Sequence, residues 1–340
     1  MLEMTIEEKY MQRCLQLAQN GLGTTYPNPL VGSVIVSEND EIIGEGWHLK
    51  SGEPHAEVNA VRDAEKKGYD EDAFAKATIY VNLEPCSHTG KTPPCASMIV
   101  QKDFKKVVVG TLDPHDKVAG KGVALLKEAG IEVVVGVLEN ECNELNKRFF
   151  TFHRKQRPYI ILKWAETSDG FIAPKNKNEQ KPVWITNAHS RQLSHQLRAQ
   201  ENAILVGART VVDDNPSLTC RDWSGDHPIR VVLDSRNSIT SDYQVMDAIA
   251  PTLKLTLSSS NILEIIDELY RNNIQSVIIE GGTTTIQSFI DAGSWDEAYQ
   301  FMGTSILFHK GLKAPNLKGD YDIKTREIID SDVLKIYRKK

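Results

Sequence analysis

Apolar runs and segments with helical spacing alternate along the first half of the chain. A short continuous apolar run between turn residues is typical of a buried strand, whereas apolar positions every three to four residues are typical of a helix. The pattern predicts a helix over residues 5–20 and then a hairpin, with strands at 30–36 and 41–48 joined through SEND. The further elements predicted in this half are strands at 77–83, 106–112 and 131–138 and helices at 54–68, 95–103 and 122–130. Helices between strands indicate an α/β domain.

A second α/β pattern begins after the segment FFTFHRKQRP (149–158), which mixes aromatic and basic residues before a proline. We therefore predict two domains, residues 1–150 and 151–340. The elements predicted in the second are strands at 159–168, 203–207, 229–234, 252–257, 276–282 and 297–303 and helices at 188–200, 261–272 and 283–292. Two domains also agree with the length of 340 residues.

Composition and charge narrow the class of protein. The chain has 25% charged and 40% hydrophobic residues, as in an ordinary soluble globular protein. It has neither a transmembrane-length apolar run nor a secretory signal, so the cytoplasm is the expected location. The net charge of −6 divides into −7 for residues 1–150 and +1 for residues 151–340. Neither half is a basic surface, which argues against a polynucleotide substrate and leaves a small molecule.

The cysteines do not form the pattern of a disulfide scaffold. They are Cys14, Cys86, Cys95, Cys142 and Cys220. In a reducing compartment, cysteines close in sequence more often bind a metal or take part in chemistry. Cys86 and Cys95 each follow a proline and enclose the loop SHTGKTPP. A disulfide and a metal site are the two interpretations of this stretch.

The segment PHAEV (54–58) favours the metal site. His55, Cys86 and Cys95 together supply one imidazole and two thiolates, three ligands that leave the fourth position of a zinc ion open, as catalytic zinc requires. Glu57 lies two residues beyond the histidine, where it can reach a metal-bound water and carry its proton to a leaving amine. The signature of zinc nucleobase deaminases is H-x-E…P-C-x-x-C, and these residues follow that pattern apart from the spacing of the two cysteines. The alternative is a set of unrelated buried cysteines and a surface histidine.

The stretch TPPC predicts a helix start. Thr92 is the predicted N-cap, and the two prolines occupy first-turn positions that need no N–H donor. Cys95 then lies where the helix dipole favours a thiolate. Eight residues separate the cysteines instead of the two of common nucleoside deaminases, so we expect the longer loop to touch the substrate as well.

Several motifs in the first half resemble the deaminase half of the bifunctional riboflavin-biosynthesis deaminase/reductase family. They are TYPNPLVGSVIV, GEGWHLKSGEPHAEVNAV, LEPCSHTGKTPPC and TLDPHDKVAGKG, and the resemblance covers most of residues 5–150. The family deaminates a diaminopyrimidinone that carries a ribosylamino 5′-phosphate. The resemblance implies zinc at His55, Cys86 and Cys95, with Glu57 as proton shuttle. It implies substrate contacts at Asn28, His48, Lys91 and Asp113, and the chain has His115 where relatives usually have asparagine.

The second half contains no complete G-x-G-x-x-G, so a classical dinucleotide-binding fold is not supported. The segment SVIIEGGTTTIQSFIDAG (276–293) instead predicts a strand, an acidic residue, two glycines and a helix start. Main-chain N–H groups at such a start favour phosphate, and glycines allow close approach. An ordinary tight turn is the alternative.

Three motifs extend the family resemblance over residues 158–305, to a reductase domain whose fold resembles dihydrofolate reductase. They are KWAETSDGFIA, the long stretch VWITNAHSRQLSHQLRAQENAILVGARTVVDDNPSLTCR, and IEGG. The resemblance implies NADPH-dependent reduction of the ribosyl group to ribityl. The NADPH positions it implies are Ala165, Trp184, Thr210, Asp214, Ser235, Gly281 and Gly282. The substrate positions it implies are Arg198, Leu218, Arg221 and Glu280.

The residue types at these positions suit the predicted ligands. Two arginines can bind a ribose phosphate with paired donors, although Arg198 as a helix C-cap and Arg221 as a surface charge are alternatives. Lys163 follows a hydrophobic run and is an additional polar candidate, and His195 is expected on the surface or in packing. Pro182 occupies a position where relatives often have a small hydroxyl residue.

The resulting hypothesis is a two-activity enzyme, with a zinc-dependent deaminase domain in residues 1–150 and an NADPH-dependent reductase domain in residues 151–340. One alternative keeps the deaminase and makes the second half a catalytically degenerate module. Another is a zinc-stabilised binding module without activity, which would leave the position of Glu57 unexplained. The sequence leaves the oligomeric state open, a homo-oligomer included, and the preference for NADPH over NADH rests on resemblance.

Overall fold

The computed structural model of the chain describes residues 4–87, 93–114, 119–175, 180 and 183–340. Lys91, Thr92, His115 and Pro182, which the sequence analysis singled out, lie outside the described residues. The chain divides into two compact units, Met1–Gln156 and Arg157–Lys340.

The first unit contains a sheet in the order β2-β1-β3-β4-β5, surrounded by helices. Its strands are β1 (Gly32–Val36), β2 (Ile42–Trp47), β3 (Thr78–Leu83), β4 (Lys106–Thr111) and β5 (Glu132–Val135). Its helices are α1 (Ile6–Ala18), α2 (Ala56–Lys66), α3 (Glu71–Phe74), α4 (Cys95–Gln101), α5 (Lys121–Glu128), α6 (Glu139–Leu145) and α7 (Lys147–Lys155). β1 pairs antiparallel with β2 and β3, whereas β3, β4 and β5 are parallel.

The central strands are buried on both faces. In β4, Val107 and Val109 belong to one hydrophobic cluster, whereas Val108 belongs to another. In β3, Ile79 and Tyr80 divide between the same two clusters. Because successive side chains of a strand point to opposite faces, helices cover this sheet on both sides, and the strands therefore read as continuous apolar runs.

Most of the aromatic and basic segment that suggested a domain boundary lies in α7, and the division between the two units falls near its end, after Gln156. Phe149 and Phe150 pack with Leu83 of β3, so their burial assigns the helix to the first unit. The helix ends at Lys155, and its C-cap residue Gln156 has a positive φ of 51°. The boundary drawn after residue 150 therefore falls inside a helix, six residues before the division between the two compact units.

The second unit is built on a sheet in the order β10-β9-β8-β11-β6-β12-β15-β14. Its strands are β6 (Tyr159–Thr167), β7 (Phe171–Pro174), β8 (Ala203–Gly207), β9 (Ile229–Leu233), β10 (Thr252–Leu255), β11 (Ser276–Ile279), β12 (Glu297–Gly303), β13 (Gly311–Lys313), β14 (Tyr321–Ile329) and β15 (Asp332–Lys339). Its helices are α8 (Ala188–Gln200), α9 (Ala208–Asp214), α10 (Ile262–Arg271) and α11 (Thr283–Asp291). In this order, the six strands from β10 to β12 pair in parallel. β15 pairs antiparallel with β12 and with β14, and β7 pairs with β13 outside this sheet.

Parallel strands bring several candidate residues to one edge of this sheet. β9, β8, β11 and β6 are neighbours, and their carboxyl ends lie on the same side. The predicted strand 276–282 ends at Ile279, so Glu280, Gly281 and Gly282 lie in the turn that leads into α11. Ligands of open α/β sheets bind at such an edge. In the described part of the chain, no helix has the length and apolarity needed to cross a membrane.

Candidate functional site

His55 and Glu57 are brought together by the start of α2. His55 is the N-cap residue, in an extended conformation, and its side chain makes no capping hydrogen bond, so the imidazole is available to a ligand. Glu57 lies in the first turn and is only 3% exposed. The helix start therefore places an imidazole and a buried carboxyl group side by side.

Cys86 and Cys95 meet through the start of α4. Cys86 follows β3, and Cys95 is the first residue of α4. The main-chain N–H of Cys95 donates to the Cys86 Sγ at 3.3 Å. Pro94, in an extended conformation, is the N-cap residue, so the prediction of a helix with both prolines in its first turn is wrong. The physical reason is that Pro94 disfavours a helical conformation at Pro93. Thr92, the predicted N-cap, lies outside the described residues.

The three predicted ligands form a set that fits zinc. The Sγ atoms of Cys86 and Cys95 lie 3.6 Å and 3.4 Å from the His55 Nδ1, and all three atoms lie within 4.8 Å of one another. Zinc bound tetrahedrally at about 2.3 Å from sulfur and about 2.0–2.1 Å from nitrogen separates those ligands by about 3.6 Å. Among the described residues, this is the one group of three or more histidine, cysteine or acidic side chains close enough together to hold a metal.

The two thiols share a hydrogen bond that makes one of them acidic. The bond from Cys95, together with that to His55, lowers the pKa of Cys86 to about 4 although burial opposes this. The same bond and burial raise the pKa of the Cys95 thiol. The Cys86 thiolate in turn raises the pKa of His55. A thiolate at neutral pH is the form in which cysteine binds metal.

Glu57 has the protonation behaviour of a proton carrier. Burial, followed by the negative charge of Cys86, raises the pKa of Glu57 to about 7. A carboxyl group with a pKa near the working pH can both accept and donate a proton during a reaction.

Asn28 and His48 form a buried pair beside these ligands. The His48 Nδ1 lies 3.1 Å from the carbonyl oxygen of Pro54, which can only accept, so Nδ1 carries the proton. The His48 Nε2 then accepts from the Asn28 side-chain amide at 3.0 Å. Burial lowers the pKa of His48, in agreement with a neutral ring. The His48 ring meets the His55 ring edge-on, with centroids 5.4 Å apart, so the two predicted substrate residues lie next to the candidate ligands.

The segment that follows Asn28 is fixed by two buried asparagines. Asn146 accepts from the Leu30 N–H and donates to the Leu30 carbonyl oxygen, both at 2.8 Å. Asn82 of β3 donates to the same carbonyl at 3.0 Å and accepts from the Gly32 N–H at 2.7 Å. These four bonds hold the main chain between Asn28 and β1.

The two other predicted deaminase contacts are Asp113 and Lys91. Asp113 follows β4, and its main-chain N–H donates to the Glu84 carboxylate at 3.2 Å. Lys91 lies outside the described residues, so its predicted role stays a prediction.

The second unit brings Arg198, Glu280 and Lys163 into one ionic cluster. Arg198 of α8 donates to both carboxylate oxygens of Glu280, from Nε at 3.1 Å and from Nη2 at 2.7 Å. The Lys163 Nζ lies 3.8 Å from the Glu280 Oε1, and all three side chains are largely buried. The structure therefore pairs Arg198 with a carboxylate, and places Lys163, the polar candidate in a hydrophobic strand, in the same cluster.

The cluster stabilises charged groups in a buried place. Burial alone would raise the pKa of Glu280, but Arg198 and Lys163 lower it to about 2. Burial lowers the pKa of Lys163, and Glu280 opposes that shift. Glu280 is therefore a permanent negative charge near neutral pH that holds two cations in place.

The loop after α9 carries Leu218 and Arg221. Leu218 has a positive φ of 55°, a strained conformation for a leucine, and its side chain is buried in the core, so its main chain is what it offers a ligand. The Arg221 guanidinium donates to the Thr219 hydroxyl at 3.2 Å, and its main-chain N–H donates to the His195 Nδ1 at 3.1 Å. Burial followed by the charge of Arg198 lowers the pKa of Arg221, so the two arginines act on one another electrostatically.

Most of the predicted NADPH positions lie at the carboxyl edge of the sheet. Thr210 of α9 accepts the Gly282 N–H at 3.1 Å, which joins the turn after β8 to the turn after β11. A side chain at Gly281 would come within 2.9 Å of the Thr285 Cβ, so the turn requires glycine there. Asp214 ends α9, Ser235 follows β9 and Ala165 lies in β6. Trp184 is 54% exposed, and the Arg191 guanidinium lies 4.7 Å above its ring.

Two buried residues escaped the sequence interpretation. His195, expected on the surface or in packing, accepts the main-chain N–H of a predicted substrate residue. Glu84, which the sequence analysis does not single out, binds the main chain near Asp113 with its carboxylate. The signal for Glu84 was a charged residue directly after a buried apolar strand.

Comparisons with known proteins agree with this arrangement. The family described as cytidine and deoxycytidylate deaminase zinc-binding region matches residues 4–111, and the family described as RibD C-terminal domain matches residues 158–326. The riboflavin biosynthesis protein RibD of Aquifex aeolicus is 39% identical over 98% of this chain and 95% of that protein. The chain belongs to the RibD family. The RibD of Escherichia coli is 36% identical over 88% of each protein.

Solved RibD structures cover nearly the whole chain. A Thermotoga maritima crystal structure, described as a diaminohydroxyphosphoribosylaminopyrimidine deaminase/5-amino-6-(5-phosphoribosylamino)uracil reductase, is 37% identical, with a TM-score of 0.88 over 98% of this chain and 99% of that one. Acinetobacter baumannii RibD is 32% identical, with a TM-score of 0.87 over 99% and 100% of the two chains. The predicted fold class, α/β with a cytidine-deaminase-like domain followed by a dihydrofolate-reductase-like domain, is confirmed, and the second domain is the reductase domain of the RibD family.

Proposed function

We propose that the chain performs two consecutive steps of riboflavin biosynthesis. The first is hydrolytic deamination of 2,5-diamino-6-ribosylamino-4(3H)-pyrimidinone 5′-phosphate. The second is NADPH-dependent reduction of the ribosyl side chain, which gives 5-amino-6-ribitylaminouracil 5′-phosphate. Membership of the RibD family supports both steps. The observation that carries the proposal is the compact set of His55, Cys86 and Cys95 with buried Glu57 beside it.

In the deaminase domain, the chain supplies a metal-binding set, a proton carrier and a recognition pair. His55, Cys86 and Cys95 would hold zinc. Zinc, when bound, lowers the pKa of water toward neutrality and so supplies the nucleophile for hydrolysis. Glu57 takes up a proton in its buried position and returns it to the departing amine. Asn28, oriented by neutral His48, presents its amide to the pyrimidine edge, and Asp113 and Lys91 are the further contacts proposed.

In the reductase domain, the chain positions two ligands. NADPH supplies the hydride. The Gly281–Gly282 turn lets phosphate approach the main chain at the start of α11, and the other proposed NADPH contacts are Ala165, Trp184, Thr210, Asp214 and Ser235. Arg198 and Arg221 are proposed to bind the ribose phosphate, with Leu218 contributing its main chain. Glu280 keeps Arg198 and Lys163 fixed, and the three together form a charged wall of the substrate site.

The arrangement argues against a degenerate second domain. A purely structural module has no need of an arginine and a lysine placed against one buried carboxylate, because burying charges costs stability. The thiol ligands require a reducing compartment, so the proposal places the chain in the cytoplasm. Homo-oligomer formation stays a prediction.

The experiment assays the purified chain with the diaminopyrimidinone phosphate, with and without NADPH. We expect ammonia release without NADPH, and NADPH oxidation only after deamination. Removing zinc with a chelator should stop ammonia release, while reduction of separately supplied deaminated substrate continues. Ammonia release from fully metal-free protein would contradict the proposed deaminase, and no NADPH oxidation with deaminated substrate would favour the degenerate-module alternative.

A further inference from the structure

Glu84 is a buried carboxylate that binds main chain instead of a cation. It follows the last residue of β3 and is only 4% exposed. Its Oε1 accepts the N–H groups of Gly122 at 2.9 Å and Val123 at 3.1 Å. Its Oε2 accepts the N–H groups of Gly120 at 2.9 Å and Asp113 at 3.2 Å. Four peptide groups therefore converge on one side chain.

These four donors come from the two ends of one segment. Asp113 follows β4, whereas residues 120–123 form the start of α5, whose first-turn N–H groups are the positive end of the helix dipole. Glu84 thus ties the exit of β4 to the entry of α5. Since Asp113 is one of the bonded residues, its main chain is fixed relative to β3.

A second contact supports the same docking. A side-chain carbon at Gly122 would lie 2.0 Å from the Pro85 carbonyl oxygen. The start of α5 therefore packs closely against the main chain of Pro85, between Glu84 and Cys86. The Gly120 N-cap has a positive φ of 75° and no side-chain capping bond of its own. The distant carboxylate takes over the capping role.

We propose that Glu84 is a positioning residue of the deaminase site, which fixes the main chain of Asp113 and thereby the direction in which the Asp113 carboxylate meets the substrate. The inference rests on the proposed function, in which Asp113 contacts the substrate. A carboxylate suits four N–H donors because both of its oxygens accept. The side-chain NH₂ of a glutamine would instead face two of the main-chain N–H groups, donor against donor. Glu84 itself binds main chain and is not proposed to touch the substrate.

The test is steady-state kinetics of Glu84→Gln in the full-length, zinc-loaded protein. We expect the deaminase KM to rise about tenfold or more, because loss of charge-assisted bonds releases Asp113, while kcat stays within about threefold. Zinc content and the reductase kinetics of the same chain should not change. Asp70→Asn is the control, because Asp70 also caps a helix with its carboxylate, at an exposed position on α3. It should leave the deaminase KM unchanged.

Glu84→Asp is the milder second variant, which keeps the charge but shortens the side chain by one methylene. Its KM should lie between those of the wild type and Glu84→Gln, and amide hydrogen exchange at Asp113, Gly120 and Gly122 should quicken in the same order. A wild-type KM in both variants would overturn the proposal. Lost zinc, or a lowered kcat with unchanged KM, would overturn it too, because Glu84 would then act through Cys86. Absence of deamination in the wild-type chain would instead reject the proposed function.

Discussion

Glu57 and Glu280 are both buried glutamates, one in each unit, yet their carboxyl groups have opposite acidities. Burial, helped by the Cys86 charge, raises the pKa of Glu57 to about 7, whereas Arg198 and Lys163 lower that of Glu280 to about 2 against the effect of burial. Burial raises the pKa of both carboxyl groups, and the two cations beside Glu280 reverse the sign of its shift. A glutamate beside a thiolate can move a proton, and one between two cations is a fixed charge.

The largest effect is expected from Glu57→Gln, which removes the proposed proton carrier but keeps the shape of the side chain. Ammonia release should fall by about 10²–10⁴-fold, the usual contribution of a general acid–base group. Elemental analysis should find zinc retained, and NADPH oxidation with deaminated substrate should be unchanged. Glu53→Gln, at an exposed position two residues before His55, is the control and should deaminate normally. Normal deamination by zinc-loaded Glu57→Gln would show that Glu57 does not carry the proton, and its contrast with Glu280 would then have no functional meaning.

Glu280→Gln tests the other side, because it leaves Arg198 and Lys163 without a buried counter-charge. The free energy of unfolding should fall by about 3–5 kcal/mol, as when one partner of a buried ion pair is removed. Chemical denaturation measures it, and reductase activity should fall as the arginine loses its position. Asp267→Asn is the matched control, because Asp267 and Arg271 pair on the surface of α10 with side chains 52% and 64% exposed. That change should lower the free energy of unfolding by less than about 0.5 kcal/mol. Equal decreases in the two variants would show that the buried ion pairs of Glu280 stabilise the fold no more than a surface pair does.

The stabilisation by Glu280 should depend on pH in a defined direction. Its folded-state pKa of about 2 lies below the unfolded value of about 4.3, so the stabilisation is complete above about pH 5 and is lost as the pH falls toward 2. The shift corresponds to about 3 kcal/mol at pH 7, and about half of this should remain at pH 3. Denaturation of the wild type and Glu280→Gln at both pH values measures the difference. A difference that grows at low pH would mean that the sign is wrong.

The smallest effect is expected from His195, whose Nδ1 accepts the Arg221 N–H. His195→Phe removes the acceptor, and the reductase KM should rise by up to about tenfold, the worth of one neutral hydrogen bond. His195→Asn keeps an acceptor at a similar position and should change the KM by less than about threefold. Equal KM values for the two variants would show that the histidine does not position the Arg221 loop.

The sequence could predict most of the fold and the three side chains that the structure brings together as candidate metal ligands, because both depend on local pattern. Continuous apolar runs located β3, β4, β8 and β11, and the spacing of His55, Glu57 and the cysteines identified a chemistry. The polar strand β14 was missed because most of its side chains are exposed, which leaves no apolar run to detect.

The supporting contacts could not be predicted, because they join positions far apart in the chain. Glu84 meets residues 29 to 39 positions later, and Arg198 meets Glu280 across 82 positions. Such pairings depend on how strands are ordered in a sheet, which no local pattern records. His195 looked ordinary for the same reason, since its partner comes from a loop that folds back onto α8.

The hydrogen bonds between Asn146 and Leu30 also set an order of events during translation. The three candidate ligands all precede residue 96 in the chain. The segment beside Asn28 can form its two hydrogen bonds with Asn146 only after residue 146 has been synthesised. Domains generally fold as units during synthesis, the N-terminal one first. The first unit therefore cannot complete the segment beside Asn28, which lies next to the candidate ligands, until the chain has been synthesised past α6.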